Sequence, residues 1–193
     1  IIIDDNALID IGAIIKGHTY IGENSIVNPG AKLRGEISIG PSCKIGGEVE
    51  CSTFHGYSNK QHDGYIGHSY IGEWVNLGAN TNTSDLKNNY GNVRVALSHD
   101  NQIETKKMFI GSIIGDFSCT AISTKLNTGT YVGVGSNVFN HIFEKKHIPH
   151  FSWGNNEKVG LNRFIEKCQT IMNRRDKELS EALKNRLIVL WKK

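Results

Sequence analysis

Proline is scarce in this chain, 3 residues in 193, and methionine scarcer still, at 2. With so little proline and no glycine at every third position, a collagen-like triple helix is excluded. No apolar run approaches the length that crosses a bilayer, and Ile1-Ile2-Ile3-Asp4-Asp5 lacks the basic region of a secretory signal. The chain therefore reads as soluble, cytoplasmic and not exported. Charge of one sign is lacking too: 22 Lys and Arg stand against 19 Asp and Glu, and a net charge of +3 does not argue for a nucleic-acid groove. The four cysteines, Cys43, Cys51, Cys119 and Cys168, include no Cys-x-x-Cys pair, which points to free thiols in a reducing compartment. The length suits one domain, with room for a small appendage.

What the sequence has is glycine, 21 residues, and a period of six. Stepping by six from Ile3 meets Ile9, Ile15, Ile21, Val27, Leu33, Ile39, Ile45 and Cys51, all apolar, and two residues before each stands a mostly small one, as at Ala7, Ala13, Ser25 and Ala31. Six is three strand repeats and no helical period, so each hexad can hold a short strand and a bend. Three such strands close a triangular coil of about eighteen residues, and coils stacked at roughly 4.8 Å build a continuous aliphatic column. After Cys51 the frame resumes out of phase at Tyr65, Ile71 and Leu77, which predicts a projecting insertion over 52–64. A polar break over 84–107 predicts a second projecting loop, and the frame returns at Met108, Ile114, Thr120, Leu126, Val132 and Val138.

From about Val159 the apolar spacing becomes three and four, through Leu161, Phe164, Ile165, Cys168 and Met172 and again through Leu179, Leu183, Leu187 and Leu190, so two amphipathic helices are expected. The domain reading is a solenoid over 1–156 and a helical appendage over 157–193 whose first role is to cap the last coil's edge. Because the chain begins without methionine and inside a repeat, it is expected to be a piece of a longer protein.

Polar residues that the repeat does not explain concentrate in 52–94. His55, His62 and His68 stand seven and six apart with spacings that match no zinc pattern, so no metal is assigned. An imidazole can instead serve as a general base near neutral pH. The run from Ser58 to His62, then Tyr65, then Asn76-Leu77-Gly78-Ala79-Asn80-Thr81, resembles the acetyltransferase domain of the bifunctional N-acetylglucosamine-1-phosphate uridylyltransferase/glucosamine-1-phosphate acetyltransferase family. Gly56-Tyr57-Ser58-Asn59-Lys60, Asp85-Leu86-Lys87-Asn88-Asn89-Tyr90 and Phe151-Ser152-Trp153-Gly154 are nearer still to a branch of that family labelled sugar-phosphate nucleotidyltransferases. The resemblance covers nearly the whole chain.

It implies an all-β fold, a left-handed parallel β-helix of hexapeptide repeats with C-terminal α-helices, and an acetyl-CoA-dependent N-acetyltransferase acting on an amino sugar phosphate. Carried over by position, His62 is the base, and Arg34, Tyr65, Asn76, Asn89, Tyr90 and Arg94 hold the sugar phosphate; no coenzyme-binding residue is assigned. A homotrimer with the site between subunits is implied, as is a nucleotidyltransferase domain outside these residues. The family's phosphate-binding lysine has no counterpart in Glu48-Val49-Glu50-Cys51, which leaves the acceptor open or gives Lys60 or another residue the task. Two rivals remain at this level: a non-catalytic trimerisation or regulatory β-helix, and a zinc solenoid on which the three histidines converge.

Overall fold

The computed structural model describes residues 1–98, 100–140, 144–154 and 157–193; residue 156, the expected end of the solenoid, lies outside the described residues. Two- and three-residue strands alternate with bends, and the chain winds into a left-handed parallel β-helix of about eight coils. The first face stacks Ile2–Ile3, Thr19–Ile21, Ile37–Ile39, Thr53–Phe54, Tyr70–Ile71, Ile113–Ile114, Tyr131–Val132 and His147–Ile148, all parallel. The second runs from Leu8–Ile9 to Asn59–Lys60, crosses Asn76 by single bridges to Asn59 and Cys119, and continues to Ser152–Trp153. The third holds Ile14–Lys16, Lys32–Arg34, Glu48–Glu50 and Tyr65–Gly67, then Asn82–Thr83 and Lys125–Leu126.

Inside, one core joins Ile21, Val27, Leu33, Ile39, Ile45, Val49, Phe54, Ile66, Ile71, Leu77, Ile114, Leu126, Val132 and Val138. Small hydroxyls suit the tight inner corners because they also serve the backbone: Ser58 Oγ donates to Gly72 O at 2.7 Å and accepts from Val75 N at 2.9 Å. The frame differs from expectation at three points. Val49, not Cys51, stacks on Leu33; Ile66, not Tyr65, points inward; and Met108 is exposed.

The reason is a shortened coil. The first coils repeat every 18 residues, Ile2 pairing with Tyr20 and Tyr20 with Ser38, but Ser38 then pairs with Thr53, only 15 residues on. Residues 52–64 are therefore not a projecting insertion. They are regular hexads with the strands Thr53–Phe54 and Asn59–Lys60, and the lost residues belong to the corners just before them, between Ile45 and Val49 and between Val49 and Phe54. The corner at Cys51 closes in the left-handed backbone region (φ 43°), as does His68 one coil later (φ 45°).

The 84–107 segment leaves the third face and carries an antiparallel hairpin, Arg94–Ala96 with Gln102–Glu104. The hairpin is anchored on the solenoid: Val93 and Val95 are buried, and a Cβ at Gly129 would lie 2.3 Å from Arg94 O. Only glycine fits that approach.

At the corner between the first and second faces, one residue per coil takes positive φ: Asn6, Asn24, Ser42, Tyr57, Trp74, Phe117, Gly135 and Phe151. Backbone hydrogen bonds link successive rungs, as from Tyr57 N to Pro41 O and from Phe117 N to Glu73 O. The first three rungs are polar and the later ones aromatic except Gly135, where a Cβ would meet the Phe164 and Phe151 rings. Helix α1 (Leu161–Asn173) lies along the aromatic rungs, with Phe164, Cys168 and Met172 packed against Trp74, Phe117 and Phe151. It thus runs back along the flank, where an edge cap was expected; Arg175, just past it, reaches Ser42 O and Asn59 Oδ1. Helix α2 (Glu181–Trp191) returns to the last coil, where Trp191 Nε1 donates to Val159 O. All four cysteines are free thiols.

Candidate functional site

The three histidines sit on the three corners of the coil that begins at Thr53. His55, between the first and second faces, hydrogen-bonds the Tyr70 hydroxyl. His62 lies between the second and third, and His68 between the third and the next coil's first. They do not converge, and among the described residues no group of His, Cys, Asp or Glu side chains is arranged to hold a metal.

The His62 ring is exposed and makes no hydrogen bond among the described residues. Its backbone is fixed from below. Lys60 takes an inward position in register with Ile45, where most of the column takes an aliphatic, and is 2% exposed. Its ammonium donates to Gly46 O at 2.8 Å and to His62 O at 2.7 Å. Burial pulls this amine down to about 8, against the raising effect of Asp63. A lysine held this way braces the corner and does not stand in for a surface phosphate ligand.

Beside the corner, a groove of about 350 Å³ opens on the third face, lined by Lys32, Glu48, Asp63, Tyr65, Asn80 and Asn82 among others. Strand alternation places them there: with Leu33, Val49 and Ile66 inward, Lys32, Glu48 and Tyr65 form one outward row. Lys32 brings a cation with no carboxylate within ion-pair reach among the described residues. Sequence reasoning missed it, although its place in Lys32-Leu33-Arg34 already marked it as outward.

Arg34 lies one row over and is bound by two carboxylates, Glu48 Oε1 at 2.6 Å and Glu50 Oε2 at 3.0 Å. Tyr65 leans across Gly67, and its hydroxyl meets Glu50 Oε2 and Asp85 Oδ2, each at 2.8 Å. A Cβ at Gly67 would lie 2.2 Å from that hydroxyl, so the missing side chain makes room for the cluster. Burial, then the Asp85 and Glu50 hydrogen bonds, raise the Tyr65 phenol well above its ordinary value. Asp85 also holds His68: Nδ1 lies 2.7 Å from Oδ2, and the ring stacks on Phe109 with centroids 5.3 Å apart. In the neutral tautomer that donates Nδ1–H to the carboxylate, His68 has its lone pair on Nε2. This histidine–aspartate pair was also not foreseen.

The other expected site residues lie elsewhere. Asn76 is outward on the second face, in a separate cavity with Tyr57, Trp74, Cys119 and Arg175. Asn89 lines a pocket at the base of the 84–107 segment, Tyr90 is 67% exposed in that segment, and Arg94 Nε donates to Glu104 at 3.1 Å across the hairpin. In this chain, then, Tyr65 lines the groove, His62 and Arg34 lie on the adjoining corner and the neighbouring row, and Asn76, Asn89, Tyr90 and Arg94 are not part of that groove.

A family profile described as bacterial transferase hexapeptide (six repeats) matches residues 1–35. The bifunctional protein GlmU of Thermodesulfovibrio yellowstonii is 36% identical over 146 residues, 74% of this chain and 29% of that protein. GlmU of Clostridium botulinum strain Langeland is 29% identical over 147 residues, 72% of this chain and again 29% of the relative. The chain thus spans less than a third of the curated relatives it matches. A crystal structure of AntD, an N-acyltransferase from Bacillus cereus, with dTDP-4-amino-4,6-dideoxyglucose and coenzyme A, superposes with a TM-score of 0.47 at 14% identity, covering 85% of this chain and 87% of that one.

Proposed function

From a chain that carries the hexapeptide repeat of bacterial transferases and is related in sequence to the C-terminal part of GlmU, we propose an acetyl-CoA-dependent N-acetyltransferase acting on an amino sugar phosphate of the glucosamine-1-phosphate kind. One observation supports the reading: His62, whose ring is open to solvent and whose backbone carbonyl is held by a buried ammonium, adjoins Asp63 of a groove that also holds Lys32, a cation unpaired among the described residues.

In this reaction the His62 ring accepts a proton as the sugar amine attacks the thioester carbonyl. The C–S bond of the tetrahedral adduct then breaks, and the departing thiolate takes the proton back from the imidazolium. The products are the amide and free coenzyme A. Lys32 suits the sugar phosphate better than Arg34, whose guanidinium is already shared between Glu48 and Glu50. Because one subunit leaves Asn76 and Asn89 away from this groove, the proposal includes a homotrimer in which a neighbour completes the site. A nucleotidyltransferase domain beyond these residues belongs to the same proposal.

A second base is favoured by one feature, the Asp85 carboxylate that orients His68. Thiol release from acetyl-CoA in the presence of glucosamine-1-phosphate separates the two. His62→Ala is expected to lower the rate at least about 100-fold and His68→Ala only a few-fold. The reverse ranking moves the base to His68. No thiol release by the wild-type protein with any amino sugar phosphate leaves a trimerisation or regulatory domain.

A further inference from the structure

At the foot of the 84–107 segment a pocket of about 520 Å³ opens between Leu86–Asn89 on one side and Asn127, Thr128 and Lys146 of two later coils on the other. It is distinct from the groove beside His62, and among the described residues no aspartate or glutamate lines it.

Its polar groups are sorted by kind. Asn127 Oδ1 is spent on the Thr128 backbone N–H at 2.8 Å, and Asn89 Oδ1 on the Gly91 N–H at 3.1 Å. Because each amide oxygen is fixed by a backbone donor, each side chain keeps its NH₂ for something else. Among the described residues Lys146 Nζ makes one hydrogen bond, to Thr128 Oγ1 at 3.3 Å, which leaves N–H donors to spare. Lys87 Nζ donates to Asn92 O and likewise retains donors. At Asn89 and Asn127 the acceptors are satisfied within the protein and the donors are left over. Two cations and two amide NH₂ groups around one cavity, without a carboxylate, suit a polyanionic oxygen cluster.

We propose that this pocket is a phosphoryl-binding site, in which Lys146 and Lys87 hold a phosphate group and the Asn89 and Asn127 amides complete its hydrogen bonds. Burial and the nearby Lys87 and Arg94 charges hold the Lys146 amine below the ordinary lysine range, as expected where cations gather without a counter-ion. Arg94 is paired with Glu104 and adds little of its own. The site stands on these donors alone, whether or not the chain transfers acyl groups. The phosphate could come from a sugar phosphate or from the nucleotide end of coenzyme A, and the same donors serve both.

Calorimetric titration of the full chain at low ionic strength tests this with three probes: inorganic phosphate, glucosamine-1-phosphate and adenosine 3′,5′-bisphosphate. Phosphate is expected to bind, with affinity lowered about tenfold or more by Lys146→Gln and by Lys87→Gln, kept by Lys146→Arg, and unchanged by Lys184→Gln on α2. The probe that displaces phosphate more effectively identifies the source. Absence of phosphate binding by the wild-type chain, or equal affinity in Lys87→Gln and wild type, overturns the proposal even if the Lys146 variant does not fold.

Discussion

Lys60 is the side chain that most departs from its surroundings: an amine in an aliphatic column, its ammonium held by two carbonyl oxygens. Its folded pKa, about 8, lies below the ordinary 10.5, so between those values the unfolded chain binds more protons than the native one. Unfolding free energy contributed by this group therefore rises with pH across that window, by at most roughly 3 kcal/mol, and the gain is lost as pH falls through 8. Urea midpoints from pH 7 to 10.5 are expected to climb more steeply in the wild type than in Lys60→Met, which cannot titrate. Parallel pH profiles would show that the amine is not desolvated. The residue was visible in the sequence only as a lysine two places before His62, because an inward lysine breaks the binary pattern that identifies inward positions.

For the elements, the aromatic rungs and α1 depend on each other. Phe117 is 1% exposed, parallel to Trp74 at 6.2 Å and edge-on to Phe164 at the same separation. Phe117→Ala is expected to cost about 3–5 kcal/mol and to release the α1 amides to hydrogen exchange before those of the coils. Asn24→Gly, on the same ladder where no helix lies, is expected to change stability by a few tenths of a kcal/mol. An α1 that stays protected in Phe117→Ala would mean another contact holds it. The hexad period was legible because inward aliphatics recur whenever the coil is regular. The ladder was not, because bulky aromatics at positive φ go against local backbone preference and are held by stacking on one another and by the helix that covers them. The shortened coil hid for a related reason: residues missing from a corner shift the frame just as an insertion would, and only strand pairing tells the two apart. The Asp85–His68 pair joins residues 17 positions apart that only register brings together.

As a whole the molecule is a one-dimensional stack in which each coil rests on its neighbours. At one end of this 193-residue chain, Ile1, Ile2, Ile3, Leu8, Ile11 and Ile14 are exposed; at the other, the coils are flanked by two helices. Hydrogen exchange is therefore expected to be fastest in residues 1–16 and slowest in the coils between Leu33 and Val138. Uniform protection along the chain would contradict nearest-neighbour stacking as the source of stability. The rungs under α1 also measure the solenoid. Its 13 residues extend about 20 Å, and the four steps from Tyr57 to Phe151 rise about 19 Å. A rod of set length laid across treads of set height works as a gauge. An extra turn inserted between those treads would leave one ring uncovered and facing water, whereas a turn added before Ser42 would leave the fit intact, so growth of the prism is permitted at one end only.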